Sequence, residues 1–201
     1  MPRLPRLVCP DVPHHITQRG NRKQQIFFSD SDRRAYLQML TDRCQATGTR
    51  CLAYCLMDNH IHLILVPPRI DALRATLAPL HTRYAARINQ REGWSGHLFE
   101  GRYWSYPMDD AHLMTAVRYV ERNPVTAKLV ARAEDWKWSS ARAHINGQDD
   151  SLVDISALGQ HVTNWRAMLE SGLESADYDD AIEKALRGGR NLGDVLRKHK
   201  K

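Results

Sequence analysis

Long hydrophobic runs are missing from this chain of 201 residues. The unbroken apolar run Ile61 to Val66 is far short of the roughly 20 residues that cross a bilayer, so no membrane span is expected. The stretch Met1 to Asp11 has basic residues but no continuous apolar segment, so no signal peptide is expected and a soluble cytoplasmic protein is the default. Cysteine is scarce. The four, Cys9, Cys44, Cys51 and Cys55, read in a cytoplasmic chain as reduced and buried. Cys51, Cys55, His60 and His62 can be grouped as a zinc quartet, but their spacing is not that of a zinc finger. Internal repeats are absent as well.

What the chain has is arginine, which greatly outnumbers lysine, and a net charge of +6 that is unevenly spread. Residues 1–148 carry +8, residues 149–183 carry −8 and residues 184–201 carry +6. An arginine-rich body points to a phosphate-bearing partner, with an ordinary solvated surface as the plain alternative. A hydrophobic fraction of 42% is enough for a real core.

Two histidines, His60 and His62, head the apolar run, in Met57-Asp58-Asn59-His60-Ile61-His62-Leu63-Ile64-Leu65-Val66. Branched residues and short length mark a buried strand, on which residues two apart share a face. The two imidazoles therefore stand side by side and offer half of a metal site. A chance pair of surface histidines has the same sequence.

Around this strand the order of elements reads βαββαβα. Pro13 to Gly20 is a first strand, whose His14 and His15 point to opposite faces and so do not form a second metal pair. Ser29 to Asp32 caps a helix over Arg33–Thr47, ended by Gly48. Cys51–Met57 and His60–Val66 form a hairpin across Asp58-Asn59. Pro67-Pro68 stops the strand, Asp71–Asn89 is a second helix with a Leu73, Leu77, Leu80, Tyr84, Ile88 stripe, and His97–Tyr106 is a fourth strand. A third helix over Ala111–Arg122 gives way at Asn123-Pro124 to a short helix reaching Val130. Trp136 to Ala141 closes the core. This order predicts an α+β, ferredoxin-like or split-βαβ antiparallel sheet of about four strands, with helices on one face and the other face open to nucleic acid. Residues 1–146 are expected to form the core domain and 147–201 an acidic-then-basic extension, helical or mobile, with weak helices at Trp165–Glu170 and Asp179–Leu186. The extension is expected to be accessory, so that truncation after Ala143 leaves a folded core. Its acidic stretch either covers the basic face or stays solvated.

The third helix carries Tyr119 between Arg118 and Val120, with Arg122 and Asn123 following. If the helix persists to Asn123, Tyr119 and Asn123 share a face. An isolated tyrosine is ordinarily a packing residue with its hydroxyl at the surface.

Taken together these stretches resemble a known family. Tyr54 to Leu65, with its Met-Asp-Asn-His-Ile-His core, resembles the HUH motif of single-tyrosine transposases. The runs His15 to Gly20, Gly96 to Arg102, Arg118 to Val125 and Trp138 to Ser140 resemble the REP-associated branch, in consistent order from about residue 6 to 142. The resemblance implies a transposase that binds single-stranded or REP-like hairpin DNA and cleaves and rejoins it through a 5′-phosphotyrosine. It implies that His60, His62 and Asn123 serve a divalent cation, Mg²⁺ or Mn²⁺, and that Tyr119 is the nucleophile. It also implies a monomer, although related insertion-sequence enzymes are dimers. Imidazoles suit softer metals than magnesium, which favours manganese. Arg19, Arg22, Arg102, Arg118 and Arg122 are the candidate DNA contacts. Trp94, Tyr103, Trp104 and Tyr106 are candidates for base stacking, with core packing favoured for Tyr103 and Phe99. The alternative from another class is a domesticated, non-catalytic nucleic-acid-binding module on the same fold.

Overall fold

The computed structural model describes residues 7–159 and 162–171. Its centre is a four-stranded antiparallel sheet in the order β2-β3-β1-β4, built from β1 (His14–Arg19), β2 (Arg50–Leu56), β3 (His60–Val66) and β4 (Trp104–Pro107). Helices α1 (Asp30–Thr47) and α2 (Ala72–Glu92) make the two crossovers, and α3 (Asp110–Thr126) follows β4. This is the ferredoxin-like order that the sequence predicts.

Local chemistry sets the element ends. Ser29 accepts from the Asp32 backbone while the Asp32 carboxylate takes the Ser29 N–H, a reciprocal cap for α1. Gly48 closes α1 in the left-handed region, at φ 69°. The fourth strand is shorter than the aromatic alternation suggests. Leu98 and Phe99 are buried as part of a loop, Phe99 meets Gly20 in a single bridge, and regular pairing starts only at Trp104. Glycines at 96 and 101 favour that loop over a continuous strand.

The sheet is packed on both faces. Ile16, Tyr54, Leu56, Ile61, Leu63 and Leu65 point to α1 and α2, where they meet Tyr36, Leu40, Leu77 and Tyr84. Ala53, Cys55, Ile64 and Val66 point the other way, into a second cluster with Leu113, Ala116, Val117 and Val120 of α3. The expected arrangement of helices on one face with the other open therefore holds for α1 and α2 and fails for α3. The cause lies in β2 and β3, which are apolar at nearly every position; a strand buried on both sides needs cover on both sides.

Pro124 also behaves differently from the sequence expectation. The α3 helix runs through it to Thr126 and closes at Ala127, whose N–H bonds Asn123 O at 2.9 Å. The missing proline N–H costs one bond in the last turn, and burial of Val120, Glu121 and Pro124 keeps the turn in place.

Packing is continuous across the expected boundary at residues 146/147. After α4 (Ala141–Asn146), Asp150 accepts from the Tyr54 hydroxyl at 2.7 Å and Val153 bridges Cys51. Then α5 (Ser156–Gly159) and α6 (Trp165–Glu170) bury Leu158, Trp165 and Leu169 in the second cluster. The helix expected at Trp165–Glu170 is present. The expected helix at Asp179–Leu186 and the basic tail lie outside the described residues. Among the described residues, Asp150 and Val153 thus pack on β2, and Leu158, Trp165 and Leu169 pack against α3; the rest of the acidic stretch lies outside the described residues. Among the described residues no helix is long and apolar enough to cross a membrane.

Candidate active site at the histidine strand

The register of β1 on β3 places Arg19 opposite His60, Thr17 opposite His62 and His15 opposite Ile64. Opposed residues of an antiparallel pair share a face, so His15, Thr17 and Arg19 join the histidine face, and Trp104 extends it from β4 beside Thr17. Across this row lies α3. The ring of Tyr119 stands edge-on to His62, with centroids 5.3 Å apart, and to His15, at 5.8 Å. His60 and His62 are 4.9 Å apart, nearly perpendicular. Because the helix persists past Asn123, the side chain of Asn123 is near enough to the His60 ring to favour its protonation. The structure thus brings together His60, His62, Tyr119, Asn123 and Arg19.

The other proposed residues lie elsewhere. Arg118 donates to the Ser171 carbonyl at 2.9 Å and Arg122 to the Leu169 carbonyl at 2.6 Å, two cations at the C-terminal end of α6 where free carbonyls accept them. Arg22, at φ 53°, is exposed on the turn after β1, and Arg102 is exposed on the loop before β4. Trp94 and Trp104 are 44% and 45% exposed, as stacking requires, whereas Tyr103 and Tyr106 are buried.

Burial decides the protonation of the site. It holds His15 down to about 4. Burial first, then the Arg19 charge, hold His60 down to about 4 against the opposing influence of Asn123. His62 is pushed well below its ordinary value by burial, then by His60, His15 and Arg19. All three rings are neutral near pH 7, the form that has a lone pair for a cation. His62 Nε2 is buried and has no hydrogen-bond partner. An orphaned ring nitrogen beside a second imidazole and an amide is a donor set that fits a divalent cation, with phosphate and water oxygens left to complete it. No carboxylate or thiolate completes it: among the described residues no three His, Cys, Asp or Glu side chains are grouped to hold a metal.

A family model described as IS200-like transposase matches residues 10–123. The chain belongs to that family. A candidate REP-associated tyrosine transposase of Haemophilus influenzae is 24% identical over 116 residues, which cover 52% of this chain and 66% of that protein, just under two thirds of its length. A solved structure of a REP-associated tyrosine transposase bound to a REP hairpin superposes with a TM-score of 0.61, covering 77% of this chain and 93% of that one. Its identity is 16%, so this likeness is one of fold.

In this chain, two residues of the site are not evident from the sequence pattern. His14 and His15 point apart and so form no second pair; which of them meets His60 and His62 depends on strand order, and β1 lies next to β3. Asn59 reads as a turn residue, yet its amide oxygen meets His60 Nδ1 at 2.6 Å. The signal was available in its place directly before the pair.

Proposed function

We propose that this chain is a metal-dependent single-strand DNA endonuclease and transesterase that acts on hairpin DNA, as its fold relative's REP hairpin suggests, in DNA transposition. The observation that carries the proposal is the Tyr119 ring against His62, across from the only strand with two co-facing histidines among the described residues. The Tyr119 hydroxyl gives its proton to solvent and its oxygen attacks the scissile phosphorus; a phosphorus–oxygen bond to tyrosine forms, the bond to the 3′ oxygen breaks, and the released oxygen takes a proton from solvent. The products are a 5′-phosphotyrosine and a free 3′-hydroxyl, and rejoining is the reverse. Tyrosine is a weak nucleophile at its free pKa of roughly 10. His60, His62 and Asn123 would hold the cation, Mg²⁺ or Mn²⁺, which supplies Lewis-acid charge at the phosphate. Arg19 adds a fixed positive charge beside the same histidines. Trp104, on the edge strand next to Thr17, presents a ring on which an unpaired base can stack. A monomer in the cytoplasm completes the reading.

Incubation with labelled single-stranded hairpins from the flanking genome, with Mn²⁺ or with chelator, tests it. An SDS-resistant adduct that needs the metal and maps by mass spectrometry to Tyr119 is expected. An adduct on Tyr84, Tyr103 or Tyr106 would overturn the assignment. Hairpin binding without any adduct would favour the non-catalytic module instead.

A further inference from the structure

Each of the paired histidines has its Nδ1 tied to a neighbour, and the two ties come from different parts of the fold. His60 Nδ1 meets Asn59 Oδ1 at 2.6 Å. The orientation of that amide is set by its other end, because Asn59 Nδ2 donates to the Lys23 carbonyl at 3.1 Å. A carbonyl only accepts, so the nitrogen must face Lys23 and the oxygen must face His60. An amide oxygen also only accepts. His60 therefore carries its proton on Nδ1, and as a neutral ring it leaves Nε2 as a bare lone pair.

The second tie is His62 Nδ1 to His15 Nε2, at 3.1 Å. Two neutral tautomer pairs satisfy that contact. If His15 donated, His62 would carry its proton on Nε2, where there is no partner. A buried N–H without an acceptor is rarer and costlier than an under-used acceptor. The other choice puts the proton on His62 Nδ1, makes His15 Nε2 the acceptor and leaves His62 Nε2 bare.

The backbone around Asn59 is arranged to keep it there. Gly20 N–H donates to the Asn59 carbonyl at 2.8 Å. A Cβ at Gly20 would lie 2.1 Å from the Gln24 carbonyl oxygen, so the tight turn that returns the chain to Asn59 excludes every other residue. Within that turn Arg22 and Lys23 both sit at positive φ, 53° and 63°, a conformation that side-chain-bearing residues adopt at a cost. The turn aims the Lys23 carbonyl at Asn59.

From these contacts we infer that Asn59 and His15 are positioning residues that fix His60 and His62 in the Nδ1–H tautomer, so that both Nε2 lone pairs are offered to one cation. This rests on the reading that the pair holds a divalent metal. The partners that orient a ligating histidine are usually carboxylates or backbone carbonyls. Here an amide and a third, neutral imidazole do that work and add no negative charge beside the phosphate.

The test uses full-length, metal-free, ¹⁵N-labelled protein near pH 7.5. Long-range proton–nitrogen correlation reads which ring nitrogen carries the proton. The wild type is expected to show His60 and His62 protonated on Nδ1, and Nε2–H on either ring would overturn that half of the inference. Asn59→Leu should release the preference at His60 and His15→Leu that at His62, whereas Asn59→Asp keeps an acceptor and should keep the His60 tautomer. Mn²⁺ binding followed by electron paramagnetic resonance should weaken about 10–100-fold in the two leucine variants, the usual effect of losing such a partner, and much less in Asn59→Asp. Leucine variants that fold and bind Mn²⁺ as tightly as wild type would overturn the positioning role and leave the metal reading standing. If wild type binds no Mn²⁺, the metal reading falls, and the tautomers still decide whether the two residues orient the rings.

Discussion

At the residue scale the hydroxyl of Tyr119 and the lone pairs of the histidines are separable from the packing around them. Tyr119→Phe removes one oxygen and leaves the ring against His62 and His15. Adduct formation and cleavage are expected to vanish, hairpin affinity to stay within about twofold, because phosphate contacts dominate binding, and thermal stability to change by less than about 1 kcal/mol. Gel assays for the adduct, a binding titration and a melting curve check the three together. The same neutral rings set a pH dependence for the metal-free protein. His15 and His60 take a proton only at about 4 when folded and near 6.5 when unfolded. Between those values the unfolded chain binds more protons, so this stability is complete above about 6.5 and is lost as the pH falls toward 4. The melting temperature in chelator should drop steadily from pH 7 to 4.5, and less steeply in His15→Phe. A flat profile over that range would mean that the buried rings are already charged.

At the element scale α3 has two working sides. One presents Tyr119 and Asn123 to the sheet. The other carries Glu121, fully buried, which accepts from Ser140 Oγ at 2.5 Å and Trp165 Nε1 at 2.7 Å and meets His144 Nδ1 at 2.6 Å, with His144 stacked on Trp165. Glu121→Ala leaves the Trp165 and His144 ring nitrogens buried without that acceptor, and a loss on the order of 2–4 kcal/mol is expected in denaturant unfolding. Truncation after Ala143 removes His144, Leu158, Trp165 and Leu169 from the same cluster. The sequence alone pointed to a core that survives this cut. The packing instead points to a lower melting temperature and exposed apolar surface, read by calorimetry and dye binding. A truncated chain that melts with wild-type cooperativity and temperature would return residues 149–171 to an accessory role.

At the scale of the whole molecule, the proposed function has charge supply the affinity for DNA and the fold supply the place. The +8 of residues 1–148 must displace counterions when it meets phosphates, so hairpin affinity should fall at least tenfold between roughly 50 and 200 mM salt. A binding constant that does not move with salt would remove nucleic acid from the reading. Two of the five arginines assigned to DNA, Arg118 and Arg122, are engaged with α6. Arg118→Ala is therefore expected to leave the salt slope unchanged, while Arg19→Ala, beside His60, should lower it.

Features that depend on short-range order are legible in the sequence. Strand period put His60 and His62 on one face; helical period put Tyr119 and Asn123 on another; caps and glycines marked the helix ends; and the ordered motifs identified the family. These follow from bond geometry within a few residues. Which strand lies beside the histidines, and so that His15 rather than His14 joins them, is set by the packing of the fold. The same packing puts α3 over the second face of the sheet, with Leu158, Trp165 and Leu169 against it. Those outcomes depend on which buried surfaces find each other across 47 residues, as for His15 and His62, or 44, as for Glu121 and Trp165. Periodicity records only that a residue has a buried side; the partner that covers it is chosen by the packing of the whole chain.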